Sequence, residues 1–206
     1  MLLMLKPGEV VQTQPALLDC TVGELLGAGS QGEVYRAELS GRAVALKWYL
    51  PAHAHAKQRE SIQKLVAKGA PDSRFLWPME LAQSATAPGF GYIMPLREDR
   101  YRSVVDLMKR RIDPSFRSLA TAGFQLADSF LQLHSKGLCY RDISFGNLFL
   151  DAETGDILIC DNDNVTVDGD RVGIGAIQEP GLLPLLRGRP KRVDQLRLRG
   201  LQNRDY

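Results

Sequence analysis

Apolar and polar positions alternate through residues 42–50. Val44, Leu46 and Trp48 fall on one face of an extended chain, and Ala45 and Lys47 on the other. A period of two predicts a strand. Residues 33–39 read the same way and end at the turn dipeptide Ser40-Gly41, so residues 21–50 are expected to be strands. The period then lengthens. Residues 53–68 predict a helix, entered after Pro51 and closed by Gly69. Residues 92–96 are a short apolar run of strand type, and residues 104–110 a short helix. The longest helical period spans residues 115–134, where Phe116, Leu119, Ala120, Gly123, Ala127, Phe130 and Leu131 are expected to line one face, with Gly137 ending the helix. Two short strands, residues 148–150 and 157–160, flank a turn at 151–155. A strand-rich first half and a helical second half predict an α+β fold in two lobes.

Composition narrows the class. The chain has 206 residues, 44% of them apolar, which suffices for a folded core. A formal net charge of +2 gives no global argument for nucleic acid or a membrane surface. Cys20, Cys139 and Cys160 are scattered without a CxxC pair, which argues against a disulfide framework or a zinc site and points to a reduced, cytoplasmic compartment. The opening MLLML is too short for a signal-peptide core or a span, so no membrane segment is expected. His53, His55 and His134 form no ligand cluster; on a helix a spacing of two splays the first pair apart. After about residue 175 the composition shifts. Arg187, Arg189, Lys191, Arg192, Arg197, Arg199 and Arg204 are opposed only by Glu179, Asp194 and Asp205, without a clear period. A poorly ordered basic tail is expected over 177–206. It lacks interleaved aromatics, so nucleic acid is not an expected partner.

Four spaced fragments carry the chemistry: GAGSQGEV at 27–34, VALK at 44–47, YRDISFGN at 140–147 and ICDND at 159–163. Each alone is a weak signal. In this order they supply a glycine loop for phosphates, a cation, a carboxylate beside an acceptor, and oxygen ligands for magnesium. Gly27, Gly29 and Gly32 match G-x-G-x-x-G, a spacing shared with dinucleotide-binding folds. Those folds need a helix after the glycines. Here the following residues, 33–37, are strand-like and lead into a hairpin.

On these residues the chain resembles a eukaryotic-type protein kinase of the serine/threonine kind, over residues 22–164. The resemblance implies a bilobal fold, with a complete N-lobe (1–96), a partial C-lobe (97–176) and the tail (177–206). It implies ATP and magnesium as cofactors. Gly27, Gly29, Gly32 and Val34 would meet the nucleotide, Ala45 would pack on adenine, and Lys47 would reach the phosphates. Glu60, the only acidic residue between Glu38 and Asp72, would pair with Lys47. GYIMPLRED is similar to the hinge between lobes: Met94 would be the gatekeeper, and the Pro95 carbonyl and Arg97 backbone would meet the adenine edge. Pro95 accepts a hydrogen bond but cannot donate one. Arg141, Asp142 and Asn147 match the catalytic loop. Asp142 would accept the hydroxyl proton or orient the acceptor, while Asn147, Asp161 and Asp163 would hold magnesium.

The chain departs from the family pattern at Tyr140, where a histidine is usual, and at Ser144, where a phosphate-neutralising lysine is usual. Asn162 and Asp163 replace the phenylalanine and glycine after the metal-binding aspartate. Such a domain runs to about 250 residues, and no APE-like motif or later helices follow here. Apolar surface around Phe124, Leu126 and Leu133 is therefore expected to be exposed, and a truncated or frame-shifted reading of a longer gene is suggested. The expected function is Mg-ATP-dependent phosphorylation of a protein serine or threonine. Three alternatives stay open: an ATP-binding pseudokinase without turnover, a small-molecule phosphotransferase of the same fold, and a nucleic-acid-binding protein using its tail.

Overall fold

Residues 44–49 are buried on both faces of their strand, each face against a different core. The computed structural model describes residues 3–167. Its strands begin with β1 (Val10–Gln14), β2 (Asp19–Ala28), β3 (Gly32–Leu39) and β4 (Arg42–Tyr49). Helix α1 (Ala56–Lys68) follows, then β5 (Glu80–Gln83) and β6 (Gly91–Pro95). These six strands close into a barrel in the order β1-β2-β3-β4-β6-β5, sealed by antiparallel pairing of β1 with β5. Val44, Leu46 and Trp48 enter the barrel core with Val11, Val22, Tyr35 and Ile93. Ala45 and Tyr49, on the opposite face, join a second core with Ile62, Leu65, Trp77 and Tyr92. That second core continues to Leu133, Leu138, Leu150, Ile157 and Val165, so the described residues pack as one compact unit.

The remaining elements are β7 (Tyr101–Ser103), α2 (Val104–Met108), α3 (Phe116–Ser135), β8 (Leu138–Tyr140), β9 (Leu148–Asp151), β10 (Ile157–Ile159) and β11 (Val165–Val167). They make a three-stranded sheet, β10-β9-β7, and a two-stranded one, β11-β8. Local chemistry sets the helix ends. The His55 ring accepts the Gln58 N–H and caps α1, so the helix starts three residues later than its apolar pattern suggests. Residues 51–53 form a turn instead. Gly69, at φ 70°, donates to the Leu65 and Val66 carbonyls and closes the helix as expected. Helix α2 stops at Met108, before Arg110 adopts φ 54°.

The buried face of α3 differs from the expected one. Phe116 is 88% exposed, Leu131 68% and Phe124 73%, whereas Leu133 is fully buried. The face against the protein is largely polar. Ser118 Oγ donates to the Glu153 carbonyl (3.0 Å), and Gln125 Oε1 accepts the Ile157 N–H (3.1 Å). Ser129 Oγ donates to Asp72 Oδ2 (2.9 Å) and also accepts from Arg74. Because these side chains satisfy backbone and charge on the elements beneath them, helical periodicity of apolar residues points the wrong way. Of the expected face, Phe130 packs inward, edge-on to Tyr140. Leu126 is half-buried, so the expectation of exposed apolar surface holds at Phe124 and fails at Leu133. The expected basic tail lies outside the described residues.

Leu133→Ala should lower unfolding free energy by about 3 kcal/mol, the cost of a buried cavity. Phe124→Ser should stay within about 0.5 kcal/mol of the parent. Urea denaturation of both variants checks the assignment, which the reverse ranking would overturn.

Candidate functional site

The site begins at the β2–β3 hairpin. These strands pair from Cys20↔Leu39 to Ala28↔Glu33, with register shifts either side of Leu25. At the tip the Gly29 N–H donates to the Gly32 carbonyl (2.9 Å). Gly32 lies opposite Tyr49 in the β3–β4 pair, and a Cβ there would run into the Trp48 carbonyl. Glycine at that position is required by close approach of two strands. A Cβ on Gly27 would meet nothing within 4 Å. Packing of the protein therefore does not call for glycine at 27; the space beside it belongs to a cleft.

That cleft is a cavity of about 720 Å³. Gly27, Gly29, Gly32 and Val34 line it from the hairpin, and Ala45 and Lys47 from β4. Met94, Pro95 and Arg97 line it from β6 and the segment beyond, and Asp142, Asn147 and Asp161 from the C-terminal strands and loops. Every residue expected to touch a nucleotide is thus on one wall or another. Gln31, Leu76, Tyr92, Asp99, Phe149 and Cys160 also line it, and none of these is among the expected site residues. The Arg97 guanidinium lies over the Phe149 ring, 4.7 Å from its centre, and donates to the Tyr101 carbonyl (2.6 Å). Burial pushes the Cys160 thiol up to about 12, which leaves it protonated and unreactive.

Lys47 is not a strand-edge lysine. β4 is flanked by β3 and β6, and Lys47 is 6% exposed. Its Nζ lies 2.5 Å from Asp161 Oδ1 and 2.8 Å from Asp163 Oδ2, with Gln31 Oε1 at 3.4 Å. The Tyr49 hydroxyl donates to the same Asp163 oxygen (2.5 Å) and accepts from Gln58 Nε2 (3.2 Å). The Asp163 side chain is wholly buried, and its Oδ1 finds no hydrogen-bond partner among the described residues. Asn162 fixes this segment by donating to the Leu76 and Ile159 carbonyls (both 2.9 Å). Asp161 itself sits in the left-handed region at φ 56°, a conformation Asp tolerates better than most residues.

One ammonium faces two carboxylates, so the cluster carries a net negative charge. Burial, and then the neighbouring Asp163, raise the Asp161 carboxyl to about 6, against the opposing pull of Lys47. Burial alone would lower the Lys47 pKa; Asp163 and Asp161 outweigh it and hold the ammonium above its ordinary range.

The residues expected to form a catalytic loop are tied to this cluster through the backbone. Tyr140 is buried, and its hydroxyl donates to the Cys160 carbonyl (2.5 Å), one residue before Asp161. The Cys160 N–H donates to the Asn147 carbonyl (2.8 Å). Asn147 Nδ2 donates to the Asp142 carbonyl (3.1 Å) and approaches Asp142 Oδ2 (3.4 Å). Arg141 is exposed and does not line the cavity.

Two expected roles are not realised in this geometry. Glu60 does not meet Lys47: its carboxylate is 65% exposed and pairs with Lys64 one helical turn on (3.1 Å). The reason is competition, because Lys47 already holds two carboxylates and α1 turns Gln58, not Glu60, toward them. Asp163, expected as a metal ligand, does not line the cavity; its Oδ2 is engaged by Lys47 and Tyr49. Tyr49 was legible in principle, since it shares the Lys47 face of β4 at a spacing of two. Nothing local marks Gln58.

Among the described residues no cluster of three or more His, Cys, Asp or Glu could hold a metal by itself. Asp161 and Asn147 nonetheless share the cavity. Magnesium is commonly held by one or two carboxylates together with substrate phosphates and water, so these donors fit an ion carried in with a nucleotide.

No protein-family model matches the chain, and no curated protein matches it. Among solved structures, the kinase domain of PknI from Mycobacterium tuberculosis, in a mutant form, is similar. The TM-score is 0.58 at 24% identity, over 77% of this chain and 63% of that domain. The likeness establishes a protein-kinase-like fold. The chain spans less than two thirds of the kinase domain it matches.

The raised Asp161 pKa has a stability consequence. The carboxyl holds its proton up to about 6 in the folded chain against 3.8 ordinarily. Its favourable contribution is therefore present below pH 3.8 and is lost as pH rises through about 6. The melting temperature of Asp161→Asn minus that of the parent, measured with a chelator present, should climb between pH 4 and pH 6 and then level off. A difference independent of pH would show that Asp161 is not the strained carboxylate.

Proposed function

We propose that this chain is a Mg-ATP-dependent protein kinase that transfers the γ-phosphoryl group to a serine or threonine hydroxyl of a protein substrate. The observation that carries the reading is a single cavity lined together by the glycine hairpin, Lys47, Asp142, Asn147 and Asp161. Bound Mg-ATP would supply the transferable phosphoryl group and neutralise charge developing on it. The chain's share is positioning and electrostatics. Ala45, Met94 and the backbone at Pro95 and Arg97 would take the adenine, and backbone N–H groups of the hairpin would meet phosphate oxygens. Lys47 would provide the cation. Asp161 and Asn147 would supply oxygens for magnesium, and Asp142 would orient the acceptor hydroxyl or take its proton. Arg141 would support that loop from outside the cavity.

A second reading, an ATP-binding regulatory module without turnover, is favoured by Ser144, which stands where a cation is usual. A small-molecule phosphotransferase of the same fold has no observation specific to it. The reducing cytoplasm is the proposed setting: all three cysteines are free thiols. No described helix is long and apolar enough to cross a membrane.

Lys47→Ala should weaken Mg-ATP binding about tenfold or more, the worth of a charge-assisted contact. Asp142→Asn should bind within about twofold of the parent yet lose radiolabel transfer by about 10²-fold or more. Transfer persisting in Asp142→Asn would refute the catalytic assignment. Binding without transfer in the parent would select the regulatory reading.

A further inference from the structure

A lysine that reaches phosphates must have its long stem held, and in kinase-type sites a carboxylate on the following helix does this. Here α1 makes no such contact: Glu60, its one acid, is exposed and pairs with Lys64. Lys47 is held instead by two carboxylates from one three-residue segment, Asp161 and Asp163. The two are not equivalent. Asp161 lines the cavity, while Asp163 does not. Asp163 is wholly buried, and its Oδ2 is shared between the Lys47 ammonium and the Tyr49 hydroxyl, itself steadied by Gln58.

We propose that Asp163 is the positioning residue for Lys47, replacing the helix-borne carboxylate. The lysine is then set by the 161–163 segment and Tyr49, and the polar contact from α1 is the neutral Gln58 amide on the Tyr49 hydroxyl. Asp161 is left to face the cavity. Displacing α1 would cost Tyr49 its Gln58 hydrogen bond and this lysine no ion pair, so the cation is paired within the site independently of the helix. The positioning role rests on the proposed function; the pairing itself does not.

A double-mutant cycle on the full chain tests the pairing without nucleotide. Lys47→Met leaves buried carboxylates unpaired and should lower the melting temperature by about 10 °C. Adding Asp163→Asn should recover at least half of that loss, whereas adding Glu60→Gln should recover none. Additive effects at Lys47 and Asp163, or coupling to Glu60, would overturn the proposal. Should Lys47→Met not fold, restored folding in the Lys47→Met, Asp163→Asn double variant supports the pairing, and its absence overturns it.

ATP affinity then separates anchor from metal ligand. Asp163→Asn should weaken ATP by the same factor, about tenfold, with EDTA and with magnesium, because a lysine–phosphate contact needs no metal. Asp161→Asn should lose affinity chiefly with magnesium. A loss confined to magnesium in Asp163→Asn would make it a metal ligand and overturn the proposal. If the parent binds no ATP at all, the phosphotransferase reading fails while the cycle still decides the pairing.

Discussion

The arrangement depends on burying one ammonium group between two carboxylates. Lys47 sits on β4, paired on both sides within the barrel, and Asp161 and Asp163 arrive from 114 and 116 residues away. A charge taken out of water is costly unless paired and hydrogen-bonded. Lys47 is almost fully buried, and Asp163 completely so on its side chain. Neither could be tolerated alone, so the barrel and the segment after β10 require one another at this point. Such a pair is weak evidence for stability. Its value is placement: it fixes where a cation stands in the cavity.

Neutral contacts carry that placement outward. Asn162 spends its amide hydrogens on two carbonyls, one of them at Leu76 before β5. Tyr140 clamps the Cys160 carbonyl from β8, and Asn147 bridges back to Asp142. Tyr140 thus braces this junction with a phenol. It is buried, donates one short hydrogen bond, and braces the loop carrying Asp142 against the strand delivering Asp161. Burial keeps its hydroxyl protonated well beyond the ordinary tyrosine range, so this donor persists across the pH range in which the chain would work.

Much of this was legible in the sequence where chemistry and local period coincide. The alternation at 42–49 placed Lys47 opposite Val44, Leu46 and Trp48, and the structure sorts those faces into two cores. All four motifs contribute residues to one cavity, although Arg141 and Asp163 do not line it. What failed was non-local. β1 and β5 were not named: each is short, and one of the two pairings of each is with a segment some seventy residues away (Thr13 with Ala82). The face of α3 was misread because its buried side is polar, with Ser118, Gln125 and Ser129 serving partners that no helical period reveals. Glu60 was named as the only acid available on the right helix, and that elimination overlooked acids arriving from far along the chain.

The same oversight explains why Asp163 looked like a metal ligand. Beside Asp161 in sequence, a second carboxylate suggests chelation; in space, the single turn of 3-10 helix at Asn162–Asn164 carries it away from the cavity. A glycine there could form the turn but could hold nothing. With aspartate, the segment gains a charge that must be buried, and Lys47 with Tyr49 is the nearest means of neutralising it. Once that carboxylate occupies the lysine, a glutamate on α1 has no charge left to meet, and pairing with Lys64 at the surface costs it no desolvation. The exposed Glu60 and the buried Asp163 are thus two sides of one arrangement, in which the segment after β10 rather than α1 brings carboxylates to Lys47.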